Sequence, residues 1–237
     1  MVGASGDAGI ACGSGDFMRA FILAAGEGRR MLPLTTTTPK PLLVVRGKAL
    51  IEWHLEALAK AGITQVVINL HYLGDQIRAH LGNGAAFGID IVYSDEPSLL
   101  ETGGGIKQAL PLLDPDRCDA PFVVVNGDIF TDFDFAQLPS ELGCWQARLV
   151  MVSNPPHHPE GDYGIDRDGS LQLNGPRWTY SGIGVYSPRL FEHSPQGSLM
   201  LRDLFGPAIQ SGTLAGQVYQ GQWADVGTPA GLAALNG

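Results

Sequence analysis

Cysteine is scarce: Cys12, Cys118 and Cys144 are the only three in 237 residues. Odd in number, widely spaced and without a Cys-x-x-Cys, they suggest neither a disulfide framework nor a zinc cluster, and a reducing, cytoplasmic compartment fits. No apolar run reaches the roughly eighteen residues of a membrane-crossing helix. Residues 1–17 contain no Lys or Arg, are rich in Gly, Ala, Ser and Asp, and lack the apolar core of a signal peptide. They read as a disordered leader or tag, with Met18 as a candidate original start. Positive charge is also in short supply, with 15 Lys and Arg against 24 Asp and Glu and a net charge of -9. That balance argues against a nucleic acid or an acidic membrane as partner, since both are bound through basic surface. No internal repeat is visible. Without a hexapeptide repeat, no appended solenoid is expected. Nothing resembles a Ser-His-Asp or Cys-His nucleophile arrangement, so no covalent intermediate is expected.

What is present is enough for a core: 44% hydrophobic and 16% charged residues are ordinary for a chain that folds without staples. The stretch Phe21–Pro41 organises the rest. Five apolar residues, Phe21 to Ala25, read as a buried strand that empties into Gly26-Glu27-Gly28-Arg29-Arg30, where the backbone turns tightly and presents bare amides. Lys40 follows between two prolines. Three long cations can thus converge on a polyanion held by loop amides, and a nucleoside triphosphate is the natural guest.

Downstream, strands and helices alternate. A helix is predicted over Ala49–Ala61 with a glycine stop, a strand over Gln65–Leu70, a helix over Gly74–Leu81, and a strand over Ile89–Tyr93. The next helix starts in Thr102-Gly103-Gly104-Gly105 and is halted by Pro111. Pro121–Asn126 is a central strand that delivers Asp128 to its carboxyl end. This rhythm implies an α/β fold, a Rossmann-like, mostly parallel mixed sheet flanked by helices, with ligands at the strand carboxyl ends. From Ala147 the texture changes to strands, a Pro-His-Gly loop and a hairpin around Arg167-Asp168-Gly169. A small lid-like subdomain on the same sheet is expected over 147–237, after a nucleotide-binding part over 18–146.

The glycine loop is neither a dinucleotide fingerprint, which wants glycine where Met31 stands, nor a Walker loop, which wants Gly-Lys-Ser/Thr. What stands is Gly26-x-Gly28-x-Arg30-Met31-x-Pro33-Leu34-Thr35, then Pro39-Lys40-Pro41. With Asn126-Gly127-Asp128 and Trp223-Ala224-Asp225-Val226-Gly227-Thr228, these four ordered motifs resemble the sugar-1-phosphate nucleotidyltransferases, with Arg29 in place of the usual Thr. The resemblance covers essentially all of 18–237. It implies that Arg30 and Lys40 hold the triphosphate, together with Ala25, Gly26, Gly28 and Arg29, and that Arg30 meets the departing pyrophosphate. It also favours Asp128 and Asp225 as ligands of Mg²⁺, a hard cation that takes one or two carboxylates. Arg30, Lys40 and Asp128 are the expected catalytic residues.

Glu101 and the glycines Gly103, Gly104 and Gly105 form the segment assigned to the base, where amides and carbonyls can pair with the edge of a uracil. The loop Asn154-Pro155-Pro156-His157-His158-Pro159-Glu160-Gly161-Asp162 lacks metal-ligand spacing and is expected to shape the sugar pocket. Together with Leu100-Glu101-Thr102-Gly103-Gly104-Gly105, it is similar to the N-acetylmuramate α-1-phosphate uridylyltransferases of bacterial cell-wall recycling. On that match Asn126, Asn154 and Asp162 contact the sugar or its phosphate. Relatives acting on glucose 1-phosphate carry a Glu-Lys-Pro whose lysine holds the sugar phosphate. Here the comparable region, Leu171–Pro176, has no lysine, leaving the metal, Arg177 or Arg202 to meet that charge. The expected reaction is uridylyl transfer from UTP to N-acetylmuramate α-1-phosphate. The alternatives are another hexose 1-phosphate or base, as in a mannose 1-phosphate guanylyltransferase, or a non-catalytic nucleotide-sugar-binding relative. The partners in every case are small molecules.

Overall fold

The structure is a computed structural model that describes residues 18–237; the expected leader 1–17 lies outside the described residues. The first apolar run forms β1 (Ala20–Leu23). After the glycine loop, a tight hairpin of β2 (Val44–Val45) and β3 (Lys48–Ala49) leads into α1 (Leu50–Lys60). Then come β4 (Gln65–Leu70), α2 (Gly74–Leu81), β5 (Asp90–Asp95), α3 (Glu101–Leu113) and β6 (Phe122–Asn126). Strands β6, β1, β4 and β5 lie side by side in that order, all parallel. Their helices cover both faces, which is why these strands carry near-continuous apolar runs rather than alternation. Ile22, Ile68, Val123 and Val125 face one core layer with α1 and α2, while Phe21, Val67 and Val124 face the other with α3.

The second half extends the same sheet. It contains β7 (Ile129–Thr131), β8 (Ala147–Val152), β9 (Tyr163–Ile165), β10 (Leu171–Gln172), β11 (Arg177–Tyr186), α4 (Leu201–Gln210), β12 (Leu214–Val218), β13 (Trp223–Asp225) and α5 (Pro229–Asn236). Long β11 runs antiparallel to β6 along one edge and to β8 along the other, and its first residues pair with β9. The expected hairpin is the β9–β10 pair, Leu171 opposite Ile165. A bulge interrupts the β8–β11 register between Tyr180 and Ile183. Gly182 there is left-handed (φ 84°), and a Cβ on it would lie 2.7 Å from the Asn126 side chain. Only glycine lets β11 come that close to the end of β6. Separately, β7 and β13 form a two-stranded ribbon with Asp225 opposite Ile129.

Two expectations are corrected. Pro111 does not halt α3, which runs through it to Leu113. Leu113 is buried, and the Asp114 amide still donates to Leu110 O at 2.8 Å, so packing of the last turn outweighs the missing proline donor. Cysteine pairing also departs from expectation: Cys144 is free and exposed, but Cys118 is disulfide-bonded. No helix among the described residues is long and apolar enough to cross a membrane.

Candidate active site

The glycine loop leaves β1 at its carboxyl end and folds back on itself. Gly28 is left-handed (φ 62°), and its carbonyl accepts from the Met31 amide at 2.8 Å and the Thr35 hydroxyl at 2.9 Å. A Cβ on Gly28 would sit 2.8 Å from Thr35 Cγ2, so the turn closes only around glycine. Buried Met31 pins the loop to a small core with Leu43, Leu50, Phe130 and Val226. Arg29 points outward, its side chain 83% exposed and paired with Glu27. Arg30 faces the interior of the site, where it lines two adjoining cavities.

The first cavity, of about 320 Å³, is lined by Ala25, Gly26, Gly28, Arg29, Arg30, Lys40, Glu101, Asn126 and Asp128 among others, which gathers nine of the residues expected from sequence. Lys40 Nζ reaches across it to Asp128 Oδ2 at 2.8 Å. Gly127, next to Asp128, donates its amide to Leu23 O at 2.9 Å, and a Cβ on it would lie 2.5 Å from that oxygen. The ends of β1 and β6 can therefore converge only because residue 127 is glycine.

The second cavity, of about 340 Å³, shares Arg30, Asn126 and Asp128 with the first and adds Asp225 and His157. The Val226 amide donates to Asp128 O at 3.0 Å, fixing the two aspartates on neighbouring segments. Burial pushes the Asp225 carboxyl above the ordinary carboxylate range, and the neighbouring Asp128 charge adds to that; Lys40, Arg30 and His157 pull the other way. Behind them, His54 on α1 is fully buried and hydrogen-bonds to the Ile129 backbone; burial pushes its ring down to about 4. Its Nε2 has no hydrogen-bond partner among the described residues.

Sequence reading missed the floor of the first cavity. Asn69 and Glu96 both line it, yet are only 2% and 4% exposed. Asn69 Oδ1 accepts from the Ala24 amide at 2.7 Å, its Nδ2 donates to Glu96 Oε1 at 2.7 Å, and Glu96 Oε2 accepts from the Leu100 amide at 3.1 Å. This relay ties the start of the glycine loop to the start of α3. The available signal was a polar residue inside the apolar strand QVVINL, which a buried position must satisfy with partners.

Three assignments take a different form. The amides of Gly103 and Gly104 donate to Leu199 O at 2.8 and 3.0 Å, so they are not free for a base edge. A Cβ on Gly104 would fall 2.2 Å from Gly197 O, and one on Gly105 2.5 Å from Glu96 Oε1. These glycines allow close packing, and none of the three lines the cavity, which Glu101 and Thr102 reach. Asn154 turns inward: Nδ2 donates to Pro159 O and Arg177 O, and Oδ1 accepts from Thr179 Oγ1. Asp162 does likewise, accepting from the Tyr180 amide at 2.7 Å and His158 Nε2 at 3.1 Å. Both frame the 154–162 loop, whose His157 and His158 reach the second cavity.

A parallel sheet with a glycine loop at its carboxyl edge, and paired cations and carboxylates where two cavities meet, defines an enzyme of phosphate-group transfer. The chain belongs to the nucleotidyl transferase family, which it matches over residues 19–173. It is 48% identical to the N-acetylmuramate alpha-1-phosphate uridylyltransferase of Neisseria meningitidis serogroup B, an alignment covering 89% of this chain and 94% of that protein. The enzyme of the same name from Caulobacter vibrioides is 35% identical, over 89% of this chain and 92% of that protein. Among solved structures, HddC from Yersinia pseudotuberculosis superposes with a TM-score of 0.77 at 23% identity, covering 92% of this chain and 97% of that one, a likeness of fold.

Proposed function

We propose that the chain transfers the uridylyl group of UTP to N-acetylmuramate α-1-phosphate, releasing pyrophosphate and forming a UDP-sugar. The observation that carries this reading is the meeting of two cavities at Arg30, Asn126 and Asp128. One is built around a glycine loop for a triphosphate and the other has room for a sugar phosphate. The choice of base and sugar is supported by the 48% identical relative. Such a reaction would return a cell-wall sugar to the nucleotide-sugar pool, and its need for UTP supports a cytoplasmic setting.

The chemistry is a direct in-line displacement. An oxygen of the sugar phosphate, already ionised at neutral pH, attacks the α-phosphorus, and the bond to pyrophosphate breaks, so no general base is required. Loop amides at Gly26 and Gly28 bind the triphosphate, and Arg30 and Lys40 offset the charge that grows on the departing pyrophosphate. Asn126, between the cavities, orients the incoming phosphate. Beneath the cleft, Glu96 accepts from Asn69 Nδ2 and the Leu100 amide and so positions the glycine loop and the start of α3 around the nucleotide.

Asp128 and Asp225 would hold a divalent cation such as Mg²⁺. The fit lies in the donor set: two hard carboxylates on adjoining segments, one of them disfavoured as an anion by burial and by the other's charge. A hard cation held by two carboxylates would keep waters and phosphate oxygens in the rest of its shell. When bound, it would supply positive charge to the phosphate oxygens at the reacting centre.

Pyrophosphate release measured over a panel of nucleoside triphosphates and sugar 1-phosphates tests the proposal. Turnover with UTP and N-acetylmuramate α-1-phosphate, above glucose 1-phosphate or GTP with mannose 1-phosphate, is expected. Turnover confined to another pair would overturn the substrate assignment.

A further inference from the structure

A sugar phosphate in the second cavity needs N–H donors, and most polar groups on that wall are already spent inside the protein. The Tyr180 hydroxyl is bonded to that of Tyr186 at 2.7 Å, and Trp223 Nε1 donates to Ser181 O at 2.8 Å. Thr179 Oγ1 donates to Asn154 Oδ1 at 3.0 Å, and His158 Nε2 to Asp162 Oδ1 at 3.1 Å. Asp128 and Asp225 are carboxyl groups and bring no N–H. Ser181 is only 1% exposed, and its Oγ accepts from the Ile183 amide at 3.1 Å. Among the described residues, Arg30, Asn126 and His157 are the nitrogen-bearing side chains on this wall with donors to spare.

The loop that carries His157 is a constructed frame rather than slack chain. Three prolines stiffen it, the His158 amide closes a turn onto Pro155 O at 2.9 Å, and Asn154 bonds across it to Pro159 O at 2.9 Å. Gly161 is left-handed (φ 62°), and a Cβ there would strike Asn154 Oδ1 at 2.6 Å. Asn154 and Asp162 hold the frame, and His158 is tied to it. His157 projects from it, 59% exposed, with Nε2 3.8 Å from Asp225 Oδ2, beyond hydrogen-bonding range. The arginines that sequence offered for the sugar phosphate do not line this cavity, and Arg177 donates instead to Leu173 O at 2.8 Å.

We infer that His157 is a substrate-binding residue that donates a ring N–H to the phosphate of the sugar 1-phosphate, serving where Leu171–Pro176 has no lysine. The inference rests on the sugar-1-phosphate reading of the cavity. A neutral imidazole suffices, because one of its nitrogens always carries a proton. Its distance from Asp225 sets the phosphate it holds beside the reacting centre.

The test compares wild type, His157→Ala and His157→Gln, the last keeping an N–H donor near the position of Nε2. Steady-state pyrophosphate release is measured with UTP, N-acetylmuramate α-1-phosphate and varied Mg²⁺, and calorimetry follows binding of the sugar phosphate alone. In His157→Ala the KM for the sugar 1-phosphate should rise about tenfold, the loss of one hydrogen bond to a charged group. The KM for UTP and the Mg²⁺ requirement should stay within about twofold, and His157→Gln should recover most of the loss. An unchanged sugar-phosphate KM overturns the inference. So does a parallel rise in both KM values with a higher Mg²⁺ requirement, which would assign His157 to supporting Asp225. If wild type neither binds nor turns over the sugar phosphate, the reading of the cavity fails and the inference falls with it. If wild type does both and His157→Ala is unchanged, only the inference falls.

Discussion

Lys40 Nζ lies 2.8 Å from Asp128 Oδ2, joining the glycine loop to the end of β6 across 88 positions of sequence. The lysine side chain is only 9% exposed, the aspartate 36%. Burying a lysine this far is tolerated because a carboxylate stands beside it and takes its hydrogen bond. The pair holds the two halves of the site in register and leaves Asp225 as the carboxylate under strain from burial and from its neighbour.

Replacing Lys40 by Met removes a cation from the triphosphate cleft and leaves Asp128 unpaired. By analogy with the loss of one preorganised transition-state donor, kcat should fall about 10²–10³-fold. Pyrophosphate-release kinetics would show this; a fall confined to the KM for UTP would mean that Lys40 supplies ground-state binding only.

His54 makes stability depend on pH. Its folded value of about 4 lies below the ordinary 6.5, so the unfolded chain takes up the proton first as pH falls. The stability contributed by the neutral ring is fully present above pH 6.5 and is lost as pH drops through the window to about 4, a change on the order of 3 kcal/mol. Urea midpoints measured across that window should therefore fall more steeply for wild type than for His54→Leu. Parallel slopes would remove His54 as the cause.

Glu96→Gln turns one acceptor oxygen into a donor and leaves either Asn69 Nδ2 or the Leu100 amide without its partner. A stability loss of about 1–3 kcal/mol and a higher KM for UTP are expected, read by denaturation and kinetics. Unchanged stability and KM would show that this relay does not position the nucleotide cleft.

Gly104→Ala drives a Cβ to 2.2 Å from Gly197 O and must push the start of α3 from the 197–199 segment. A cost of about 1–3 kcal/mol and a higher KM for UTP are expected, read by denaturation and kinetics. Gly206→Ala, in α4 with nothing but its chain neighbours within 4 Å of the new Cβ, is the control; because it precedes Pro207 it should cost at most about 1 kcal/mol and leave the KM for UTP unchanged. Equal behaviour of the two variants would refute the packing role of Gly104.

Much of the fold was legible because its signals are local. The run QVVINL is β4 and GDQIRAHL is α2, each with the bounds expected, since apolar periodicity and flanking glycines act within a few residues. The parallel order followed from the alternation, because each crossover helix forces its strands to run the same way. Pro111 misled for the converse reason. A local helix-stop signal was overridden by the burial of Leu113, which no neighbour in sequence reports.

The site divides along the same line. Sequence alone determined the glycine loop and the exit of β6 into Asp128, because tight turns and strand ends demand particular residue types wherever they occur. Only the tertiary structure decided which polar atoms remain free to meet a ligand. Asn154 and Asp162 carry groups suited to a sugar but spend them on the loop's own backbone and side chains. Gly103 and Gly104 give their amides to Leu199, and Asn69 joins Glu96 beneath the cleft. A hydrogen-bonding group shows its type in the sequence, but whether it is spent or available depends on partners brought from far along the chain.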